Sequence, residues 1–409
     1  MRLLRITTNY PNYLSQFYTK KSELKNKLFS IQYQKITDDC FGWADFWSKA
    51  LEHHGYDVTE IISNAKYMQF AWARENQIAI NSVNWLEEIT LRQIQSVAPE
   101  ILFVDDHSTF TPKFINHVRE QCPSIRLILG WCGSPIHNYS VFNSYDIILS
   151  NIPELVTEFQ KLGHKSYHVN HAFEPRILDK INKLVAQDID FSFIGSIVKA
   201  SNYHIEREVF LEKLVNQTNL EIWSDVSSSS LLNQKLLPIK QFVHDCIQPC
   251  KKNPFLSKII LKLPKLKNFI KLSDRPSNKD FISRSIVLRS HNPVYGLEMY
   301  QQLAKSKLAF NNHINISLQS ASNMRLFEAT GVGTCLITDW KDNLTELFES
   351  DREVVTYRNV EECIEKVKWL LENDDARQAI AEAGQKRTLK DHTFSQRAIQ
   401  LDEIIRKSL

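Results

Sequence analysis

The chain has 409 residues, 43% hydrophobic and 24% charged, with 50 Lys+Arg against 47 Asp+Glu for a formal net charge of +3. These are ordinary globular values, and the absence of any run of about 18 apolar residues excludes a membrane-spanning helix from the sequence. The ten glycines spell neither G-x-G-x-x-G nor a Walker A sequence, which excludes a standard dinucleotide fold and a P-loop.

Length predicts two to three domains at about 150 residues each, and each is large enough to bury its own core. The opening Met1–Asn9 is too short and too soon polar for a signal peptide. Leu3–Thr7 reads instead as a buried first strand. Phe41–His53 has helical spacing and ends at Gly55, and Asp57–Ile62 is the next strand. Trp85–Val97 is helical, and Ile101–Val104 is a short continuous apolar run, as expected of a strand covered on both faces. Pro112–Gln121 is a helix with Pro near its start. Leu127–Leu129 and Asp146–Leu149 are buried strands, Pro153–Leu162 a helix closed by Gly163, and Ser166–Asn170 a further strand. A second series opens with strand Phe191–Gly195, helix Glu206–Val215 and strand Leu220–Trp223. After a break it resumes with helix Leu297–Leu303, strand Leu308–Asn311, helix Arg325–Thr330 capped by Gly331, strand Cys335–Thr338, short helix Leu344–Phe348 and strand Val354–Tyr357. Helices over Val360–Leu371, Ala376–Ala383 and through Ile405 complete the chain. Two such alternations predict an α/β protein with two Rossmann-like, doubly wound parallel sheets facing each other across a cleft. The boundaries predicted are residues 1–175, residues 176–390 with an insertion at about 227–292, and a terminal helix, 391–409, that packs back on the first domain. Ligands in open parallel sheets bind outside the carboxyl ends of the strands, and interdomain clefts are favoured pocket sites.

The break between the two parts of the second series is basic. Residues 231–290 carry 13 Lys+Arg and 3 Asp, a net +10, while the rest of the chain has 37 basic and 44 acidic residues, a net −7. Within it, residues 255–272 interleave Lys with Leu, Ile and Phe. That pattern suits an anionic membrane surface, and equally a solvated helical insertion over a domain edge. It is aliphatic rather than aromatic, which argues against nucleic acid as a partner. The seven cysteines are scattered and form no Cys-x-x-Cys pair, so they read as reduced thiols. Cys246 and Cys250 lack a second ligand pair nearby, and no metal site is expected.

The most informative stretch is Asn323–Asp339: a short helix, a glycine turn and a buried strand. Arg325 and Glu328 are three apart and share one helix face. A cation there suits a phosphate, and a carboxylate one turn on can accept both hydroxyls of a ribose. The plain alternative is a surface ion pair, which contributes little.

Here the sequence resembles a known family. Asn323-Met-Arg-Leu-Phe-Glu-Ala-Thr-Gly-Val-Gly, Leu336-Ile-Thr-Asp339, Asn343-Leu-Thr-Glu-Leu-Phe, Glu353-Val-Val-Thr-Tyr, Ala383-Gly384 and His392-Thr-Phe-Ser-Gln-Arg397 are similar, in order and spacing, to the C-terminal domain of CgeB-like (spore-maturation-protein-type) glycosyltransferases, relatives of the large retaining GT-B group. In the first half Asp105-Asp106, Gly130–Pro135, Tyr145–Ser150 and Phe173-Glu174-Pro175 are similar to the same family. The resemblance implies a GT-B fold and a nucleotide-sugar donor. It places Glu328 on the donor ribose, Arg325 near the diphosphate, and Gly195 at the turn where backbone approaches the donor. The wider retaining group has a glutamate eight residues before Glu328, where this chain has Ser320.

Sugar transfer needs the leaving diphosphate neutralised, which Arg325 and Lys199 could do without metal or other cofactor. An inverting reaction also needs a base. Asp105, Asp106 and His107, just after a strand, are placed for it, although an Asp there often caps a turn; a retaining reaction needs none. Asn311, His313 and Asn323 could touch donor phosphate or base. Gly133 and Ser134, within Trp131–Pro135, should line the cleft, whereas His164, His168 and His171 read as satisfied structural histidines. The function expected is metal-independent transfer of a sugar from a nucleotide donor to a sugar or lipid-linked acceptor hydroxyl, in polysaccharide or glycoconjugate assembly, in the cytoplasm or on the cytoplasmic membrane face. A nucleotide-sugar epimerase of the same fold and a non-catalytic nucleotide-sugar-binding protein are the rivals.

Overall fold

The computed structural model describes residues 1–80, 83–182, 186–197, 205–226, 236–252, 282–313 and 319–409. Lys199 and the amphipathic stretch 255–272 lie outside them. Contacts divide the chain into two compact units, residues 1–189 with 295–409, and residues 190–294.

The first unit begins with a six-stranded parallel sheet: β1 (Arg2–Thr7), β2 (Asp57–Ile62), β3 (Ile101–Val104), β4 (Leu127–Trp131), β5 (Ile147–Ser150) and β6 (Ser166–His168), in the order β2-β1-β3-β4-β5-β6. Leu3 pairs with Val58 on one side and Ile101 on the other. All of β3, β4 and β5 is buried, which is why those runs are continuously apolar rather than alternating. The connecting helices are α1 (Pro11–Lys20), α2 (Phe29–Asp38), α3 (Phe46–Glu52), α4 (Lys66–Glu75), α5 (Trp85–Val97), α6 (Pro112–Gln121), α7 (Pro153–Lys161) and α8 (Ile177–Lys180). The strand order reverses between β1 and β3, so Thr8 and Asp105-Asp106 follow adjacent strands at a topological switch point.

The second unit holds β7 (Ile189–Ile194) from Asp190 onward, α9 (Ile205–Gln217), β8 (Leu220–Trp223), α10 (Leu237–Ile247), α11 (Arg284–Leu288) and β9 (Ser290–His291). β7 pairs with β8 and β8 with β9, all parallel. The Ser283 hydroxyl donates to Glu212, and His291 stacks on Trp223 with ring centroids 4.7 Å apart.

The chain then returns to the first unit with α12 (Gly296–Lys305), β10 (Ser306–Asn311), α13 (Arg325–Gly331), β11 (Cys335–Asp339), α14 (Leu344–Leu347), β12 (Val355–Tyr357), α15 (Val360–Glu372), α16 (Asp374–Asp391) and α17 (Phe394–Arg406). β10, β11 and β12 pair in parallel, in the order β12-β11-β10, and form the second sheet of this unit. Phe394 of α17 lies edge-on to Phe46 and Trp47 of α3. Arg397 donates to the carbonyls of Asn170 and His171, and Gln400 to that of His168.

The helix expected over Ala376–Ala383 runs from Asp374 to Asp391 and the strand expected over Ser166–Asn170 ends at His168; two further corrections have a clear local cause. The helix expected from Phe41 starts at Phe46, because Cys40, Gly42 and Ala44 all take positive φ (56°, 62° and 36°) and form a left-handed turn first. Gly331 is not a cap. It is the last residue of α13, and the positive φ falls on Gly333. Gly331 is required for space: a Cβ there would lie 2.3 Å from the Phe173 ring. Among the described residues no helix is long and apolar enough to cross a membrane, and no group of three His, Cys, Asp or Glu is placed to hold a metal.

Candidate functional site

Glu328 is the centre of the C-terminal cluster. Its Oε2 lies 2.9 Å from Nη1 of Arg325, one turn back on α13, with only 8% and 16% of the two side chains exposed. This is not the surface pair of the plain alternative. Tyr300 of α12 donates its hydroxyl to Oε1 at 3.4 Å, and burial followed by the Glu328 charge pushes that phenol well above its ordinary pKa. A carboxylate offers about four lone-pair positions. Arg325 and Tyr300 use one on each oxygen, so one on each remains for a pair of neighbouring hydroxyls. Tyr10, in the loop after β1, has a largely exposed ring, yet its hydroxyl is raised by desolvation and then by Glu328, within whose electrostatic reach it lies.

Beside Glu328, at the carboxyl ends of β10 and β11, runs a chain of polar side chains. Asn323 Nδ2 donates to Asn311 Oδ1 at 2.7 Å, Asn311 Nδ2 to Thr338 Oγ1 at 2.8 Å, and Thr338 Oγ1 to Asp339 Oδ1 at 3.4 Å. His313 presents both its backbone N–H (2.9 Å) and Nδ1 (2.8 Å) to the same Asp339 oxygen. Burial pushes the Asp339 carboxyl up, but His313 and then Lys341 outweigh it and hold it below the ordinary value.

On the N-terminal side Asn151 follows β5. Its Nδ2 donates to the Ser322 carbonyl at 2.6 Å, which ties the carboxyl end of the first sheet to the segment leading into α13. The carbonyl accepts only, so the amide is fixed with Oδ1 pointing away, and that atom is buried without a partner. Oδ1 and the indole Nε1 of Trp131 lie 3.2 and 2.9 Å from where a Cβ on Gly133 would stand. Trp43, Trp131 and His171 pack ring to ring, with centroids 4.8 to 5.8 Å apart. Arg5 lies 5.5 Å from the Trp43 ring centre. His171 Nδ1 is also buried without a partner. His171 therefore departs from the satisfied structural histidine expected of it. His168, by contrast, contacts the Asn151 carbonyl through Nε2.

The three residues after β3 are occupied locally. Asp105 and Glu60 share the buried Arg5 guanidinium, at 2.5 Å each. One cation cannot offset two carboxylates, and burial pushes Asp105 up to about 6. Burial also raises Asp106, but hydrogen bonds from Ser108, Thr109 and Thr8 outweigh it and leave it lowered. This is the turn-capping geometry that an Asp after a strand often adopts. His107 Nδ1 contacts the Trp131 carbonyl at 3.3 Å. Among the described residues none of the three shares a hydrogen bond or ion pair with Arg325 or Glu328. Ser134 lends only its carbonyl, to the Cys132 thiol. Gly195, in the second unit, donates its N–H to the Trp223 carbonyl.

Comparison with known proteins bears on this geometry. Residues 268–403 match a family described as glycosyl transferase-like. In structure the chain is similar over its whole length to sucrose-phosphate synthase from Thermosynechococcus elongatus (8% identity, 98% of that chain, TM-score 0.54) and to HepE from Anabaena in complex with UDP-glucose (10%, 100%, 0.53). It is likewise similar over its whole length to a glycosyltransferase from Rickettsia africae (10%, 98%, 0.53). The fold is GT-B. No curated protein matches the chain in sequence.

Within the GT-B frame, the first unit brings Glu328, Arg325 and Asn323 to the carboxyl end of the second sheet and Asn151, Gly133 and His171 to that of the first. The sequence reading missed Tyr300, Thr338, Trp43 and Asn151. A polar residue directly after a buried strand was the available signal for Asn151; Tyr300 carries none, because its partner is 28 residues away.

Proposed function

We propose that this chain is a CgeB-like glycosyltransferase that moves a sugar from a nucleotide donor to an acceptor hydroxyl in polysaccharide or glycoconjugate assembly. The observation that carries the reading is the shielded Glu328 carboxylate, oriented by Arg325 and Tyr300 and left with one lone-pair position on each oxygen. A vicinal diol, as in ribose, matches that pair. The similarity of residues 268–403 to a glycosyl transferase-like family supports it, as does the fold shared with HepE, whose structure holds UDP-glucose.

In the reaction the bond from the anomeric carbon to the diphosphate oxygen breaks and a bond to the acceptor oxygen forms. The acceptor proton departs, and the nucleoside diphosphate leaves with the added negative charge. Arg325, at the start of α13, supplies positive charge near that leaving group. The acceptor, a sugar or lipid-linked sugar, lies against Trp43, Trp131 and Gly133, where unpartnered Asn151 Oδ1 accepts from a hydroxyl and the indole N–H donates to it. Residues 255–272 are where the chain would touch an anionic membrane.

Thermal-shift binding with UDP, GDP and their common sugar conjugates tests the donor site. Ligand at about 100 times its dissociation constant stabilises by roughly 2.7 kcal/mol. A shift with one nucleotide that falls to about half or less in Glu328→Gln is the result expected. No shift with any member, from folded protein, overturns the reading.

A further inference from the structure

The hydrogen-bonded chain beside Glu328 has a fixed direction. Its anchor is Asp339, a partly buried carboxylate held ionised, which can only accept. Thr338 therefore turns its proton toward Asp339 and takes a hydrogen bond from the Asn311 amide N–H. With its N–H so used, Asn311 offers Oδ1 to Asn323, and Asn323 must donate Nδ2 to it. Asn323 Oδ1 is left at the far end, buried and unpartnered. On the other side of Asp339 the same logic fixes His313: Nδ1 carries the proton given to the carboxylate, and Nε2 faces away from it. That nitrogen is also buried without a partner, on a side chain only 2% exposed.

A buried polar atom left unsatisfied is destabilising, because it has given up water and gained no partner. Two of them, at opposite ends of one otherwise satisfied network, mark places where something outside the chain completes the hydrogen bonds. Asn323 Oδ1 is an acceptor. Phosphate oxygens are acceptors too and gain nothing from it, whereas sugar hydroxyls donate, and a hydroxyl can meet His313 Nε2 as well because it both donates and accepts. The position is the carboxyl end of β10 and β11, where ligands of open parallel sheets bind, next to the carboxylate assigned to the nucleoside.

We propose that the chain from Asn323 through Asn311, Thr338 and Asp339 to His313 reads the hydroxyls of the donor's glycosyl group, with Asn323 Oδ1 as the accepting atom and His313 Nε2 as the second contact. This rests on the nucleotide-sugar reading above. Asn311, Thr338 and Asp339 are positioning residues: they set which way the two end groups face and touch no ligand themselves.

The test compares two ligands on the full-length protein by calorimetry. One is the nucleotide sugar that gives the largest thermal shift in a panel of UDP-glucose, UDP-galactose, UDP-N-acetylglucosamine and GDP-mannose; the other is the matching nucleoside diphosphate. Asn323→Leu removes an accepting atom. Thr338→Val removes the direction of the chain while leaving both end atoms in place, and Thr338→Ser restores the hydroxyl. Each lost hydrogen bond should weaken nucleotide-sugar binding about 3- to 10-fold. Nucleoside diphosphate binding should stay within about twofold, and Thr338→Ser should recover the wild-type margin. Equal weakening of both ligands, no change in either, or failure of Thr338→Ser to restore the margin overturns the inference while the nucleotide-sugar reading stands. Absence of binding by wild-type protein to every probe removes both.

Discussion

Arg325 and Glu328 stand one turn apart on α13 and close a 2.9 Å ion pair from which water is nearly excluded. Breaking a buried pair by removing one partner leaves the other charge uncompensated and costs roughly 3–5 kcal/mol. Glu328→Ala should therefore lower the melting temperature, while Glu328→Gln, which can still meet Arg325 and Tyr300, should melt close to wild type. Both should bind nucleoside diphosphate at least about tenfold more weakly, since hydrogen bonds to a charged group are worth about 1.5–3 kcal/mol. Differential scanning fluorimetry and calorimetry on the two variants separate these effects.

Gly331→Ala should destabilise the protein by about 1–3 kcal/mol, the usual range for overpacking. The new methyl meets the Phe173 ring, which cannot withdraw: Phe173 is buried, its N–H donates to the His392 carbonyl and its own carbonyl accepts from Phe394. Denaturant unfolding of the variant, against Gly163→Ala as a site with open space, checks it. Gly163 has a positive φ, so that control isolates backbone strain from collision.

Acid sensitivity follows from His392. Burial, with Arg397 nearby, depresses it to about 4, despite the hydrogen bond its Nε2 donates to the Leu347 carbonyl. The ring lies between Phe327 and Phe348. A depressed folded pKa means stabilisation that is present above the unfolded value, about 6.5, and lost as pH falls through 4. The loss should approach about 3 kcal/mol. Asp105 runs the other way: raised to about 6, it favours the folded state at low pH and loses that contribution as pH climbs from about 4 to 6. The measurement is thus a difference: between pH 6.5 and 4 the melting temperature of His392→Gln should fall less steeply than that of wild type.

Gly133→Ala should raise the acceptor KM without changing nucleotide affinity. Its methyl would stand 2.9 Å from the Trp131 indole nitrogen and 3.2 Å from Asn151 Oδ1, filling the space between them. Steady-state kinetics with the acceptor varied at saturating donor gives the answer, and an unchanged KM removes the N-terminal acceptor assignment.

Much of the fold was legible because buried parallel strands are continuous apolar runs. Asp57–Ile62, Ile101–Val104 and Leu220–Trp223 were read to the residue, as were helices Trp85–Val97 and Pro112–Gln121. Helices α1, α2 and α4 were not seen. None has a side-chain cap, and α2 and α4 mix Tyr, Gln and Lys with their apolar residues; α1 does carry Pro11 at its start and a buried stripe of Tyr13, Leu14, Phe17 and Tyr18, but two of those four are tyrosines, which blur the apolar pattern. The Arg325–Glu328 spacing announced itself because both residues lie on one turn. The partners that orient them were hidden for the opposite reason. Tyr300 reaches Glu328, and Thr338 reaches Asn311, only after strands and helices some 27 or 28 residues apart are packed side by side. The direction of the proton chain is likewise a property of assembled neighbours, and no local pattern encodes it.

The embrace of α17 has a practical meaning for protein engineering. Phe394 closes over Phe46 and Trp47, and Thr393 bridges to Phe173. A chimera that exchanged only the first 175 residues with those of a relative would therefore inherit a foreign seat for its own last helix. Grafts of acceptor specificity should carry residues 392–409 along with the first half, so that each transplanted surface arrives with the side chains that evolved to cover it.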